Sequence, residues 1–531
     1  MKKRFVSVLS GVALCASAFM MTSTLTVDAF AQATTLKAAV HSPLRIIDPV
    51  SNVARITQMH GYMVYDTLFS LDANGVPKPQ MVGEYSSSAD GKVWTFKLRD
   101  GLAFHDGAPV TSEDAIVSIE RWSKKDPMGG ALLAGGSFSK VDDKTFKLEL
   151  SKPFGLVLEA LGKPGTYAPF IMPARIAKTP HDQLIQDATG SGPYIFKRDE
   201  WVPGSKTVYV KNPKWVSRSE PTSFLSGKKE ANIERVEWVS LPDANVAMSA
   251  LQAGEIDYYE YPPMDLLTSL EKSKDVKLVK VDPVGAQGWI RPNHLYPPFN
   301  NEKARQALLL IVNQEDYMRA LGAPTAYYHP YCGAVFFCGT PLASEVGTAP
   351  YKKADLNKAK ALLKEAGYNG EKVVVYHPTD VPDMDMGAKV TVSLMRKAGI
   401  NVETIPMDWG TFLGKRLNKA PPAEGGWNVY ASLDFGNNMM TPTTNLSLIT
   451  ACDKATAGWP CDEEMEKLRA AWLAEPDAAK RMQIVNQIQE RFYKIVPYIP
   501  TGQFVRPVAV RTNISDVNAT FIPVFWNLKK N

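Results

Sequence analysis

The sequence predicts an α/β protein with more than one compact unit, on three observations. Its 531 residues exceed what one hydrophobic core ordinarily organises. Its composition, 45% hydrophobic and 22% charged, is that of a globular chain rather than a disordered or membrane-embedded one. Between residues 355 and 405, strands alternate with amphipathic helices, the pattern of an α/β lobe.

The N-terminus reads as an export signal. Lys2, Lys3 and Arg4 precede an apolar run from Phe5 to Met21, and Ala31-Gln32-Ala33 is a small-residue cleavage site, so maturation is expected after Ala33, with Thr34 leading. The apolar run is short for a retained anchor. Leu14 before Cys15 lacks the small size that lipid modification needs. The net charge of +5 includes three cations against one acid in this leader, so the remainder is weakly basic, and no basic stripe with interleaved aromatics suggests nucleic acid.

Four cysteines follow the leader: Cys332, Cys338, Cys452 and Cys461. An even count in an exported chain points to disulfides, and of three connectivities the close spacing favours Cys332–Cys338 and Cys452–Cys461. No CxxC occurs and no histidine lies within either pair, so no metal is expected there.

Along the chain, Leu36–Val40 reads as a first strand. Asp90-Gly91 is a turn, Val93–Leu98 has strand content, and Asp106-Gly107 turns again. Thr111, three residues before Asp114 and ahead of an apolar run, is a variant capping box opening a helix. Lys140–Leu150, Ile233–Val239 and Val276–Val281 read as strands, and Ala247–Leu251 as a short helix. Asp355 caps an amphipathic helix running to Ala366; Val373–Tyr376 and Val402–Ile405 are strands around a helix at Ala388–Ala398. Glu463–Ile495 is a helical pair broken at Pro476.

Several of these stretches carry a signature. Trp94-Thr95-Phe96, Leu98-Arg99-Asp100-Gly101, Phe104-His105-Asp106-Gly107 and Glu113-Asp114 are followed by Gly190-Ser191-Gly192-Pro193-Tyr194 and by Gly254-Glu255-Ile256-Asp257. Pro298-Phe299 and Arg305-Gln306-Ala307-Leu308 come next. In this order they resemble the bacterial family 5 extracellular solute-binding proteins, the dipeptide, oligopeptide and nickel receptors of ABC importers. The resemblance implies a two-lobed periplasmic binding protein fold (α/β, type II, cluster C-like) with an extra subdomain in the first lobe. It divides the chain into lobe 1 at 34–287 plus 507–531, with an inserted subdomain at about 60–190, and lobe 2 at 288–506. It also implies a periplasmic location, a peptide or other small-molecule ligand, an inner-membrane permease as partner and a monomeric state.

The resemblance places the ligand along the chain after the first strand, at His41, Ser42 and Leu44, and against Trp289, Trp409 and Trp427, whose faces can stack on a solute. It offers Asp434, beside Asn437, where peptide receptors hold the ligand's α-amino group by a charge-assisted hydrogen bond. Dipeptide receptors place an arginine before the helix at 388, whereas this chain has Asp380, Asp383 and Asp385. That substitution suggests a cationic or neutral polar solute, the alternative being a solvated acidic loop. Seven histidines include no HExxH pattern, no GxSxG elbow is present, and His105-Asp106 in a turn reads as structural, so no catalytic residue or cofactor is expected. An exported hydrolase or peptide chaperone on the same scaffold is the competing reading.

Overall fold

The computed structural model describes residues 35–531; the expected export signal and its cleavage point lie outside the described residues. Two sheets and a smaller third one carry the architecture. The first has seven strands in the order Tyr194–Phe196, Lys206–Lys211, Arg235–Val239, Thr35–Ala39, Tyr258–Tyr259, Val508–Arg511 and Val276–Val279. Thr35–Ala39 lies in its middle, parallel to both neighbours. Flanked by a strand on each edge, it reads TLKAA, with Leu36 and Ala38 fully buried and Lys37 exposed.

The second sheet runs Val402–Met407, Val373–Pro378, Val429–Phe435, Ala286–Pro292, Ile499–Phe504. Val373–Pro378 and Val402–Met407 pair in parallel through the helix Pro382–Lys397, the expected α/β unit. That helix starts six residues before the expected Ala388. Pro382 occupies its first turn, so the acidic stretch read as a loop is a helix N-terminus. The expected strand at Lys140–Leu150 is two strands, Gly136–Lys140 and Thr145–Leu150, joined by a turn. They complete a four-stranded antiparallel sheet with Val82–Ser87 and Val93–Leu98. Phe96 and Phe146 stack within it at 5.3 Å.

The signature residues of this region are scaffold. Thr111 and Asp114 form the expected capping box of the helix Ser112–Ser123. His105 donates from Nε2 to Gly192 O at 3.2 Å and accepts from Gly190 N at 3.3 Å, while Gly192 N donates to Val64 O at 2.8 Å. A side chain on Gly190 would sit 2.0 Å from Val64 O, so the close crossing of two chains requires glycine there. Burial pushes the His105 imidazole down to about 4, and Asp106 pairs instead with Arg175.

Two short segments, 280–285 and 505–507, connect the two large sheets. Gln503, fully buried on the last strand of the second sheet, grips the first of them. Its amide donates to Val284 O at 2.9 Å and to Cys338 O at 3.1 Å, and its carbonyl accepts from Cys338 N at 2.9 Å. The disulfides are Cys332–Cys338 and Cys452–Cys461, so the first of them anchors the loop that Gln503 grips. The C-terminal run returns to the first sheet, where Phe525 packs on Trp238 and Tyr258.

Candidate functional site

In sheets with parallel strands, binding crevices open beyond the strands' carboxyl ends. The adjacent parallel strands Thr35–Ala39 and Tyr258–Tyr259 lead just past their carboxyl ends into His41 and Glu260, and these two residues meet. His41 Nδ1 lies 2.8 Å from Glu260 Oε2, and the same oxygen accepts from His41 N at 3.0 Å. Burial pushes the Glu260 carboxyl up, but His41 and the nearby Arg55 more than offset this, holding it below its ordinary value. Ser42 is partly exposed beside them; Leu44 is buried in the core, and its carbonyl accepts from the Trp201 indole.

Across the cleft, the strand Val429–Phe435 leads directly into a helical turn at Gly436–Met439. Asp434 Oδ1 accepts from Phe435 N at 2.8 Å and from Asn438 Nδ2 at 2.9 Å, and burial raises its pKa. Asn438 continues the chain of contacts into the first lobe. Its carbonyl accepts from Thr166 Oγ1 at 2.7 Å, and Thr166 in turn accepts from Gln58 Nε2 at 3.1 Å. Arg55, one helical turn before Gln58, lies 4.6 Å over the Phe435 ring. A polar seam and a cation–π contact therefore close the cleft between the lobes. The Asn437 side chain is outside the described residues; its backbone belongs to the turn beside Asp434.

The other expected contacts are distributed differently. Trp289 is buried against Tyr430 and Tyr498, its indole N–H without a hydrogen-bond partner, on the same strand as Gln287, which stands opposite Asp434 in the sheet register. Trp427 is fully enclosed, and its N–H donates to Arg416 O at 3.1 Å. Asp380 accepts from Trp409 N at 2.7 Å, and the Trp409 ring stacks on Phe412. Asp383 pairs with Arg506, and Asp385 with His377 and Lys389. All three carboxylates thus have partners within the chain.

Sequence reasoning missed Arg55, Gln58, Thr166, Glu260 and Asn438. Glu260 had a signal, an acid just past the strand beside the first strand; the others lie in a helix and loops without a motif. Among the described residues no group of three or more His, Cys, Asp or Glu side chains is arranged to hold a metal, and no helix is long and apolar enough to cross a membrane.

Two α/β lobes joined by two short crossings, with a polar seam at the mouth between them, are the architecture of a solute-binding receptor that closes over its ligand. The chain belongs to the bacterial extracellular solute-binding proteins, family 5, whose middle region matches residues 76–456. It is 37% identical over 491 residues, 92% of each chain, to a probable peptide ABC transporter periplasmic-binding protein of Sinorhizobium fredii. It is 26% identical over 483 residues, 87% of each chain, to a glutathione-binding protein of Escherichia coli. Among solved structures, the periplasmic binding protein of Helicobacter pylori in complex with the peptide STSA superposes with a TM-score of 0.75 at 22% identity, covering 93% of this chain and 98% of that one. A Pseudoalteromonas dipeptide-binding protein in complex with Met-Leu gives 0.74 at 19% identity, covering 94% and 100%. Likeness to these structures fixes the type II binding-protein fold. The family and its relatives speak for a solute-binding receptor and lend no support to the hydrolase or chaperone reading.

Proposed function

We propose that this chain is a monomeric periplasmic receptor that takes a peptide or peptide-like polar solute into the cleft between its lobes and presents it to an inner-membrane ABC permease. The observation that carries this reading is the seam Gln58–Thr166–Asn438–Asp434, which draws groups from both lobes to one place. Lobe closure then reports occupancy to the permease without covalent chemistry. The ligand-facing set is His41, Ser42, Trp289 and Asp434, together with Arg55 and Glu260, and Asn437 remains a candidate by its place in the turn after Asp434. Leu44 and Trp427 stand behind the cleft wall, and Asp380 with Trp409 shapes the end of the helix Trp409–Lys415. Asp383 serves the crossing through Arg506. Asp434, acceptor-rich and buried, favours an amine or other donor on the solute. The peptide class is supported by the Sinorhizobium relative, and periplasmic location by the same relative together with the leader composition.

A thermal-shift panel of di- to tetrapeptides tests the reading. A peptide at one hundred times its dissociation constant stabilises the folded chain by about 2.7 kcal/mol. It should be recovered uncleaved. Absence of any stabilisation across the panel, or recovery of cleaved peptide, overturns it.

A further inference from the structure

One stretch of the first lobe, residues 155–166, meets the second lobe at Gly155, Glu159 and Thr166. Gly155 lies against the turn between the helices Glu463–Ala474 and Ala478–Ile495. A side-chain carbon on Gly155 would sit 3.0 Å from Pro476 Cα and 3.2 Å from Glu475 O. Its backbone is not left-handed, so the closeness of the facing chain, not a turn, is what asks for glycine. Glu159, on the short helix Val157–Leu161, pairs with Arg481 at 3.7 Å, both side chains partly exposed. Thr166 adds the bond to Asn438 described above.

Both sides of this contact are braced. Lys163 pairs with Asp126 Oδ2 at 2.7 Å, the two side chains nearly inaccessible, and its ammonium also donates to Thr166 O. Asp126 in turn caps the helix Pro127–Leu133, accepting from Met128 N and Gly129 N. On the facing side, Arg481 donates to Glu475 O at 3.2 Å and lies 6.0 Å over the Trp472 ring. Arg469, on the first helix of the pair, donates to Pro442 O at 3.0 Å, which joins that pair to the loop after Asn438. The second helix runs on into Ile499–Phe504, the last strand of the second sheet. The three contacts therefore form and break together as the lobes move. A pair that exists only between closed lobes acts on the open–closed equilibrium rather than on the stability of either lobe.

We infer that residues 155–166 are a closure arm, with Glu159 and Arg481 as positioning residues that hold the lobes together and set how long a bound solute stays. This deepens the receptor reading above and rests on it.

Two measurements on the full mature chain test the inference: small-angle scattering without ligand, and stopped-flow release of a bound peptide, with Ser-Thr-Ser-Ala and Met-Leu as probes. Arg481→Met and Glu159→Gln should each speed release about two- to five-fold, the size of a partly exposed ion pair, with association nearly unchanged. Exchanging the charges, Glu159→Arg with Arg481→Glu, should bring release back toward the wild-type rate. Gly155→Ala adds the one carbon that the close approach excludes. It should speed release and raise the ligand-free radius of gyration while the melting temperature stays in place. Should Gly155→Ala fail to fold, the charge variants still decide the matter. Release and scattering equal to wild type in every variant overturn the inference and leave the receptor reading standing. So does faster release that comes with a lowered melting temperature and is not recovered by the charge exchange. If neither peptide binds, scattering alone decides the arm, an unchanged radius overturning it, and an empty peptide panel counts against the receptor reading.

Discussion

The Thr166 hydroxyl donates to the Asn438 side-chain carbonyl at 2.7 Å, and with Gln58 behind it this bond ties the first lobe to the second across the cleft mouth. Thr166→Val keeps the shape and removes the donor. Unfolding free energy should change by no more than about 1 kcal/mol, because the group is only partly buried. The ligand-free protein should shift toward an open form, raising the radius of gyration in small-angle scattering. An unchanged radius together with unchanged ligand affinity would show the contact to be incidental.

A buried ion pair ties the helix Ser112–Ser123 to the stretch that follows the first strand. Arg121 approaches Asp48 with Nη1 on Oδ1 at 3.2 Å and Nη2 on Oδ2 at 2.7 Å, both side chains almost inaccessible. Arg121→Met leaves Asp48 charged and without its cation. The expected loss is about 3–5 kcal/mol in urea unfolding. Asp48 also accepts from Val50, Ser51 and Ile185 backbone N–H groups, so Asp48→Asn should cost less than the arginine change.

Gln503 joins a crossing segment to the disulfide loop through three hydrogen bonds. Gln503→Leu orphans the Cys338 amide and the Val284 carbonyl in a buried place, and a loss of about 2–4 kcal/mol is expected. Replacing both Cys452 and Cys461 by serine should cost about 2–3 kcal/mol, the loop-closure value for so short a ring. Ligand affinity separates the two: it should fall for Gln503→Leu and hold for the serine pair, which lies away from the crossings.

Asp282 gives a pH signature. Burial raises its carboxyl to about 6 from an ordinary 3.8, although Arg55 and the Gly285 and Val284 amides oppose the rise. Because the folded value is the higher one, the folded chain binds the proton more tightly. Its contribution to stability is complete below pH 3.8 and is lost as pH rises toward 6. Asp282→Asn, which still accepts both amides, should gain at most about 3 kcal/mol at pH 7 and gain nothing near pH 3.5. His60 works in the opposite sense: burial lowers it to about 3, so its contribution is lost as pH falls below its ordinary 6.5. The readout is therefore the difference between variant and wild type at each pH, in which His60 cancels.

Much of the scaffold was legible because its causes are local. The Thr111–Asp114 capping box, the Asp355 cap and the alternation of strand and helix between 355 and 405 act within a few residues. The early start of the helix at Pro382 was legible in principle, since proline at the first position and acids in the first turn suit a helix N-terminus. Val381, however, offers no capping side chain, and three carboxylates in ten residues look like a solvated loop until Arg506, Lys389 and the Trp409 amide are seen to meet them.

By itself, then, the sequence determined the α/β class, the signature motifs and the local cysteine pairing, all consequences of neighbours along the chain. Tertiary structure alone decided the cleft: His41 with Glu260 across 219 positions, Thr166 with Asn438 across 272. Hydrophobic periodicity reports which residues are buried. A hydrogen bond about 3 Å long depends on which distant segments the sheets bring together, and that is set by strand order and by the two crossings, not by local pattern.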